Sequence, residues 1–126
     1  MTLLNFVKNK KVFKTKKFIQ LTEDDYTEAI KEFWIEPKIL NPKAKIKDRK
    51  IGFSVCEKII LLNEKMEFES IITTLKTYDE AIEYIKFWVN FYNKLAEKKK
   101  VWNGRYFFDY EIDCGELILK NKSLEI

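Results

Sequence analysis

The chain has 126 residues, 46% of them hydrophobic, with two cysteines and a net charge of +4. That is one domain's worth of chain with enough apolar side chains for a core, which excludes global disorder and any need for disulfide or metal staples. It has no histidine, which removes Ser-His-Asp and Cys-His nucleophile activation, histidine-ligated zinc and histidine general bases together.

Met1 to Val7 is too short an apolar run for a secretory leader, and lysines follow it from Lys8 to Lys17. The longest apolar stretches fall far short of a membrane span. The expectation is a cytoplasmic domain that contacts no membrane, with Cys56 and Cys114 as buried reduced thiols. They lack the C-x-x-C spacing of a redox pair. The bias toward lysine, isoleucine, asparagine and phenylalanine matches AT-rich codons and points to a bacterial, phage or viral source. Gly52, Gly104 and Gly115 are the three glycines, too few and too scattered for a dinucleotide fingerprint or a P-loop. No cofactor and no metal is expected.

In chain order, Leu3 to Leu21 reads as one or two strands with a lysine-rich turn at Lys8 to Lys11. Thr22 is an N-cap candidate, with Glu23, Asp24 and Asp25 in the first turn after it. Tyr26, Ala29, Ile30, Phe33 and Trp34 then follow at helical spacing, which predicts a first helix ended by Pro37. The stretch to Lys50, with two prolines and many lysines, reads as an exposed loop.

Ile51, Phe53 and Val55 alternate as in a strand, Ile59 to Leu62 is a short apolar run, and Met66 to Leu75 is a third strand after a turn at Asn63 to Lys65. Thr77 and Glu80 form a capping box for a second helix, whose core stripe is Ala81, Ile85, Trp88, Tyr92 and Leu95. Tyr84, Phe87 and Phe91 make a surplus apolar stripe beside it. Asn103-Gly104 is a hairpin signal, followed by strands at Arg105 to Ile112 and Glu116 to Lys120. The predicted fold is therefore a single α+β domain over residues 1–126. It has a mainly antiparallel sheet of about five to seven strands with two helices packed on it, in the order β-β-α-β-β-β-α-β-β.

Three features bear on function. Asp109, Glu111 and Asp113 share one face of an extended strand, where carboxylates could hold a cation or meet a partner. The same alternation with Phe108, Tyr110 and Ile112 is what a half-solvated strand shows. The second feature is charge in blocks: lysines over 8–17, 38–50 and 98–105 are separated by acidic segments. If they converge, Lys14, Lys16, Lys17, Lys45, Lys47, Arg49, Lys98, Lys99, Lys100 and Arg105 would bind a phosphate backbone. The third is the aromatic surplus of Tyr84, Phe87, Phe91 and Trp102, residue types that dominate protein-interface hot spots.

The reading is a non-catalytic protein-binding module, a small inhibitor or immunity-type protein of the phage anti-defence or toxin-neutralising class. Its contact residues are Tyr84, Phe87, Phe91, Trp102, Asp109, Glu111 and Asp113. The alternative is a nucleic-acid-binding accessory protein that uses the three basic blocks.

Overall fold

The computed structural model describes residues 11–21, 26–63, 65–102, 107–113 and 116–119. Strands β1 (Phe13–Lys14), β2 (Phe18–Leu21), β3 (Tyr26–Ile39), β4 (Ile51–Leu61) and β5 (Met66–Leu75) precede the helix α1 (Tyr78–Glu97). After it come β6 (Lys100–Trp102), β7 (Phe107–Asp113) and β8 (Glu116–Leu119). Seven strands lie in the order β5-β4-β3-β2-β6-β7-β8, and β1 pairs with β3 off that row. The pairings are antiparallel except β2 with β6, which run parallel with Ile19 opposite Val101. Among the described residues the fold is thus a mixed sheet crossed by one helix, and the expectation of two helices on the sheet is wrong.

The error lies in β3. The stretch Tyr26 to Trp34, read as helical, belongs to one long strand that continues through Pro37 to Ile39. Thr22 to Asp25, the presumed cap and first turn, lie outside the described residues. Two-residue periodicity is present, since Thr27, Ala29, Phe33 and Ile35 are all buried. Lys31 interrupts it. It occupies a core-side position, and its ammonium donates to Glu57 Oε2 at 3.2 Å and to the Tyr92 hydroxyl at 3.0 Å. A lysine in the middle of the buried face hides a strand in the sequence, and the remaining apolar residues fit helical spacing equally well. Pairing with β4, from Ala29 opposite Leu61 to Ile39 opposite Ile51, decides for the strand. Pro37 sits where β3 has a strand partner on one side only among the described residues, which a sheet tolerates.

Other boundaries also shift. Ile51 to Val55 and Ile59 to Leu62 were expected as two strands, but one continuous β4 runs from Ile51 to Leu61 and leaves Leu62 just past its end. The expected loop after Pro37 begins only at Leu40 and includes a short 3-10 turn at Ile46–Asp48. The Asn103-Gly104 turn lies outside the described residues, yet β6 and β7 on either side of it do pair, with Trp102 opposite Phe107. Cys56 is buried, and Cys114 lies outside the described residues.

Strands β1 and β2 pair with β3 as one interrupted strand. Lys14 faces Glu32 and Phe18 faces Ala29, so four steps on one side match three on the other and one residue bulges out. Thr15 fills the break, its amide donating to the Lys31 carbonyl at 2.9 Å and its Oγ1 accepting from the Lys31 amide at 3.0 Å.

Helix α1 starts as the capping box predicts, with Thr77 Oγ1 accepting from the Glu80 amide at 3.1 Å. It buries Ala81, Ile85, Tyr92 and Leu95 against Phe18, Ala29, Phe33, Ile35, Val55 and Leu61. The helix crosses strands β1 through β6. A smaller cluster of Ile19, Val101 and Phe108 uses alternate residues of β2 and β6, and so lies on the other face of the sheet. Among the described residues no helix is long and apolar enough to cross a membrane.

Candidate functional site

Five turns of helix carry more aromatic surface than one sheet can cover. Ala81, Ile85 and Tyr92 point at the strands. Tyr84, Phe87, Trp88 and Phe91 fall on one adjoining flank at 100° per residue. Trp88 is the hub of that flank. Phe87 and Phe91 meet it edge-on with ring centroids at 5.2 Å, and Tyr84 meets it tilted at 6.4 Å. Phe91 in turn packs edge-on against Trp102 of β6 at 5.4 Å. The structure therefore brings together Tyr84, Phe87, Phe91 and Trp102, the four aromatic residues singled out from sequence. Trp88, assigned from sequence to the core stripe, joins them. Phe87 is the most open of these rings at 62% exposure.

Beneath this flank is a cleft of about 200 Å³, lined by Tyr84, Trp88 and Tyr92 from α1, Lys31 and Phe33 from β3, Glu57 from β4 and Ile72 from β5. Ile72 reaches it because the β4–β5 register slips between Val55 and Cys56, leaving Ile72 without an opposite residue. Burial works to lower the Lys31 pKa, but the Tyr92 hydroxyl and the Glu57 carboxylate outweigh it and hold the pKa above the ordinary lysine value. A lysine held in that state is a cation at neutral pH, not a nucleophile. Sequence reasoning missed Lys31 and Glu57 here. The available signal was a single lysine at the centre of an otherwise apolar period-two series.

The strand beside the cleft is also open. Residues Met66 to Ile72 are all exposed, with Met66 at 45%, Phe68 at 51% and Ile71 at 62%. Among the described residues β5 pairs only with β4 and so ends the sheet. Alternation places Glu67 and Glu69 on one face of β5, each within 4 Å of Lys58 on β4. Met66, Phe68 and Ser70 lie on the other face, the one that α1 packs on, since their partners Leu61, Ile59 and Glu57 lie there.

The remaining candidates fare less uniformly. Asp109 on β7 binds Lys100 at 2.8 Å, and Glu111 is exposed two positions on. Asp113 pairs through its backbone with Glu116, and its side chain is outside the described residues. Of the basic residues, Lys16 bonds Glu97 at 2.7 Å and its amide donates to Asn93, which ties the first block to the C-terminal half of α1. Lys16 lowers the pKa of Glu97 chiefly through that hydrogen bond. Lys98 and Lys99 lie at the end of the same helix, with Lys100 just beyond in β6, so the first and third blocks meet there. Lys14 stands opposite Glu32 on β1 and Lys17 is exposed in the bulge. Lys45, Lys47 and Arg49 are carried separately on the β3–β4 loop. That loop is held by Asn41, whose side chain bonds the carbonyl of Asp48 and the amide of Lys50. Arg105 lies outside the described residues.

Comparison with protein-family models, with curated proteins and with solved structures finds no match to this chain.

Proposed function

We propose that this chain is a non-catalytic protein-binding module, of the small inhibitor or immunity kind, that acts by occupying a partner's surface. The observation that carries the reading is the aromatic flank of α1. Phe87 stands 62% exposed and is braced at 90° against Trp88, within a chain of ring contacts running to Trp102. Aromatic rings held by their neighbours lose little conformational freedom on binding, which is how interface anchors gain affinity. Ile72 of β5, 37% exposed, lines the cleft beside these rings and enlarges the same patch. The test is retention of a stoichiometric host protein by the tagged chain at high salt after nuclease treatment, and its loss in the variant Phe87→Ser.

A second reading, nucleic-acid binding, has one observation in its favour. Phe91, Lys94, Lys98 and Lys100 surround a surface cavity of about 250 Å³, pairing an aromatic face with three cations as single-strand binders do. Against it, Lys16 and Lys100 are already engaged by Glu97 and Asp109. Salt separates the two readings, because phosphate contacts release counterions and weaken steeply as salt rises, whereas an apolar contact persists.

A further inference from the structure

We propose that the free edge of β5 takes up an extended segment of a partner protein as an additional strand, and that this segment alternates basic and apolar residues. The inference rests on the protein-binding reading and names the mode of recognition. An edge strand presents a row of backbone donors and acceptors, and soluble proteins normally blunt such edges with charge, bulges or short length. Here β5 runs ten residues, its bulge comes only at Ile72, and seven successive residues before and at that point are exposed. Met66 at 45% and Phe68 at 51% exposure are apolar side chains on one face of an edge that nothing described covers. Strand addition satisfies both the backbone row and these side chains.

The two faces of β5 dictate what the added strand carries. Glu67 and Glu69 share one face, and among the described residues Lys58 is the cation bridged to both. Beyond the end of β5, Asp79, Glu80 and Glu83 line an open depression with Leu75 and Tyr84. Those three acids stand on the α1 side of the sheet, so on the other face the negative charge comes from Glu67 and Glu69, and a partner strand needs basic residues there. On the opposite face Met66 and Phe68 lead toward Ile72 and the aromatic cleft, so the partner's alternate residues are apolar. A second copy of this chain is disfavoured as occupant. Its β5 would bring Glu67 and Glu69 against their own counterparts, where like charges repel.

The probe is a capped peptide of about seven residues alternating lysine and valine, the length of an ordinary strand. Amide hydrogen exchange of the whole chain, followed by NMR, is expected to slow in β5 and not in β8 when the peptide is added. The double variant Glu67→Gln/Glu69→Gln, which keeps size and exposure, is expected to weaken binding about tenfold, the effect of removing two favourable charge contacts. A peptide methylated at every amide nitrogen keeps the side chains and charge but cannot donate, and it is expected not to bind. Equal binding by the methylated peptide, protection away from β5, or no binding of the parent peptide overturns the inference. So does a dimer in sedimentation that disappears in the variant Phe68→Lys. Should the host protein still be lost in Phe87→Ser while the peptide leaves β5 untouched, strand addition fails and the protein-binding reading stands. If the wild-type chain retains no protein from lysate, the reading itself fails.

Discussion

The two halves of the sheet are built to opposite specifications. In the inner half, β2, β3 and β6 are flanked by other strands, and Phe18, Ala29, Phe33 and Val101 are at most 1% exposed. Even the lysine there, Lys31, has its cation matched by Glu57 and Tyr92. In the outer half, among the described residues, β5 pairs on one side only and seven of its successive residues are exposed, and the neighbouring flank of α1 holds Phe87 out to solvent. Among the described residues the inner half is saturated with intramolecular partners and the outer half is not. Substitutions should therefore separate cleanly into those that cost stability and those that cost binding.

The largest expected effect is in the core. Phe33→Ala, beneath α1, should destabilise by about 3–5 kcal/mol in urea unfolding, because it removes a large buried ring and leaves a cavity. Next is the charge pair. Lys31→Met leaves Glu57 half-buried without its cation and should cost roughly 2–3 kcal/mol. Adding Glu57→Gln to it should restore more than half of that loss, and a double-mutant cycle checks the coupling. Thr77→Ala removes the helix cap and should cost about 1 kcal/mol, read from the shift in unfolding midpoint.

The pH dependence follows from Lys31 in the inner half and Tyr110 on β7. The pKa of Lys31 is raised, and that of Tyr110 is raised by burial and then by Glu28. For both, the folded state holds its proton to higher pH than the unfolded chain does. Their contribution is complete below the ordinary lysine and tyrosine values and is lost as pH rises through the folded values. Stability should thus be insensitive to these two groups near neutrality and fall in strong alkali, and Lys31→Met should flatten that fall. The smallest expected effects on stability are in the outer half: Phe87→Ser and Ile71→Thr should stay within about 0.5 kcal/mol of the parent chain.

Much of the outer half was legible in the sequence. The capping box at Thr77 and Glu80 located α1, and the surplus stripe Tyr84, Phe87 and Phe91 proved to be its open flank. That pattern persists over about four turns, long enough for helical periodicity to exclude a strand. The pattern from Tyr26 to Trp34 covers little more than two turns, and there the same spacing was misleading. What turned it into β3 lies elsewhere in the chain: β4 supplies the paired backbone, and Glu57 and Tyr92 make a core-side lysine tolerable. No local signal carries those partners. The cleft was hidden for the same reason, since its lining comes from four separate elements. The meeting of the first and third lysine blocks could be posed from sequence but not answered, because it depends on where the end of α1 falls beside the β1–β2 bulge.

The most direct test of the central claim measures two properties of one variant. Unfolding free energy and retention of a host protein at high salt should be compared between the parent chain and Phe87→Ser. An unchanged unfolding free energy with the host protein lost is the predicted result. A variant that retains the host protein, or a parent chain that retains only nucleic acid eluting as salt rises, would contradict the assignment of binding to the aromatic flank.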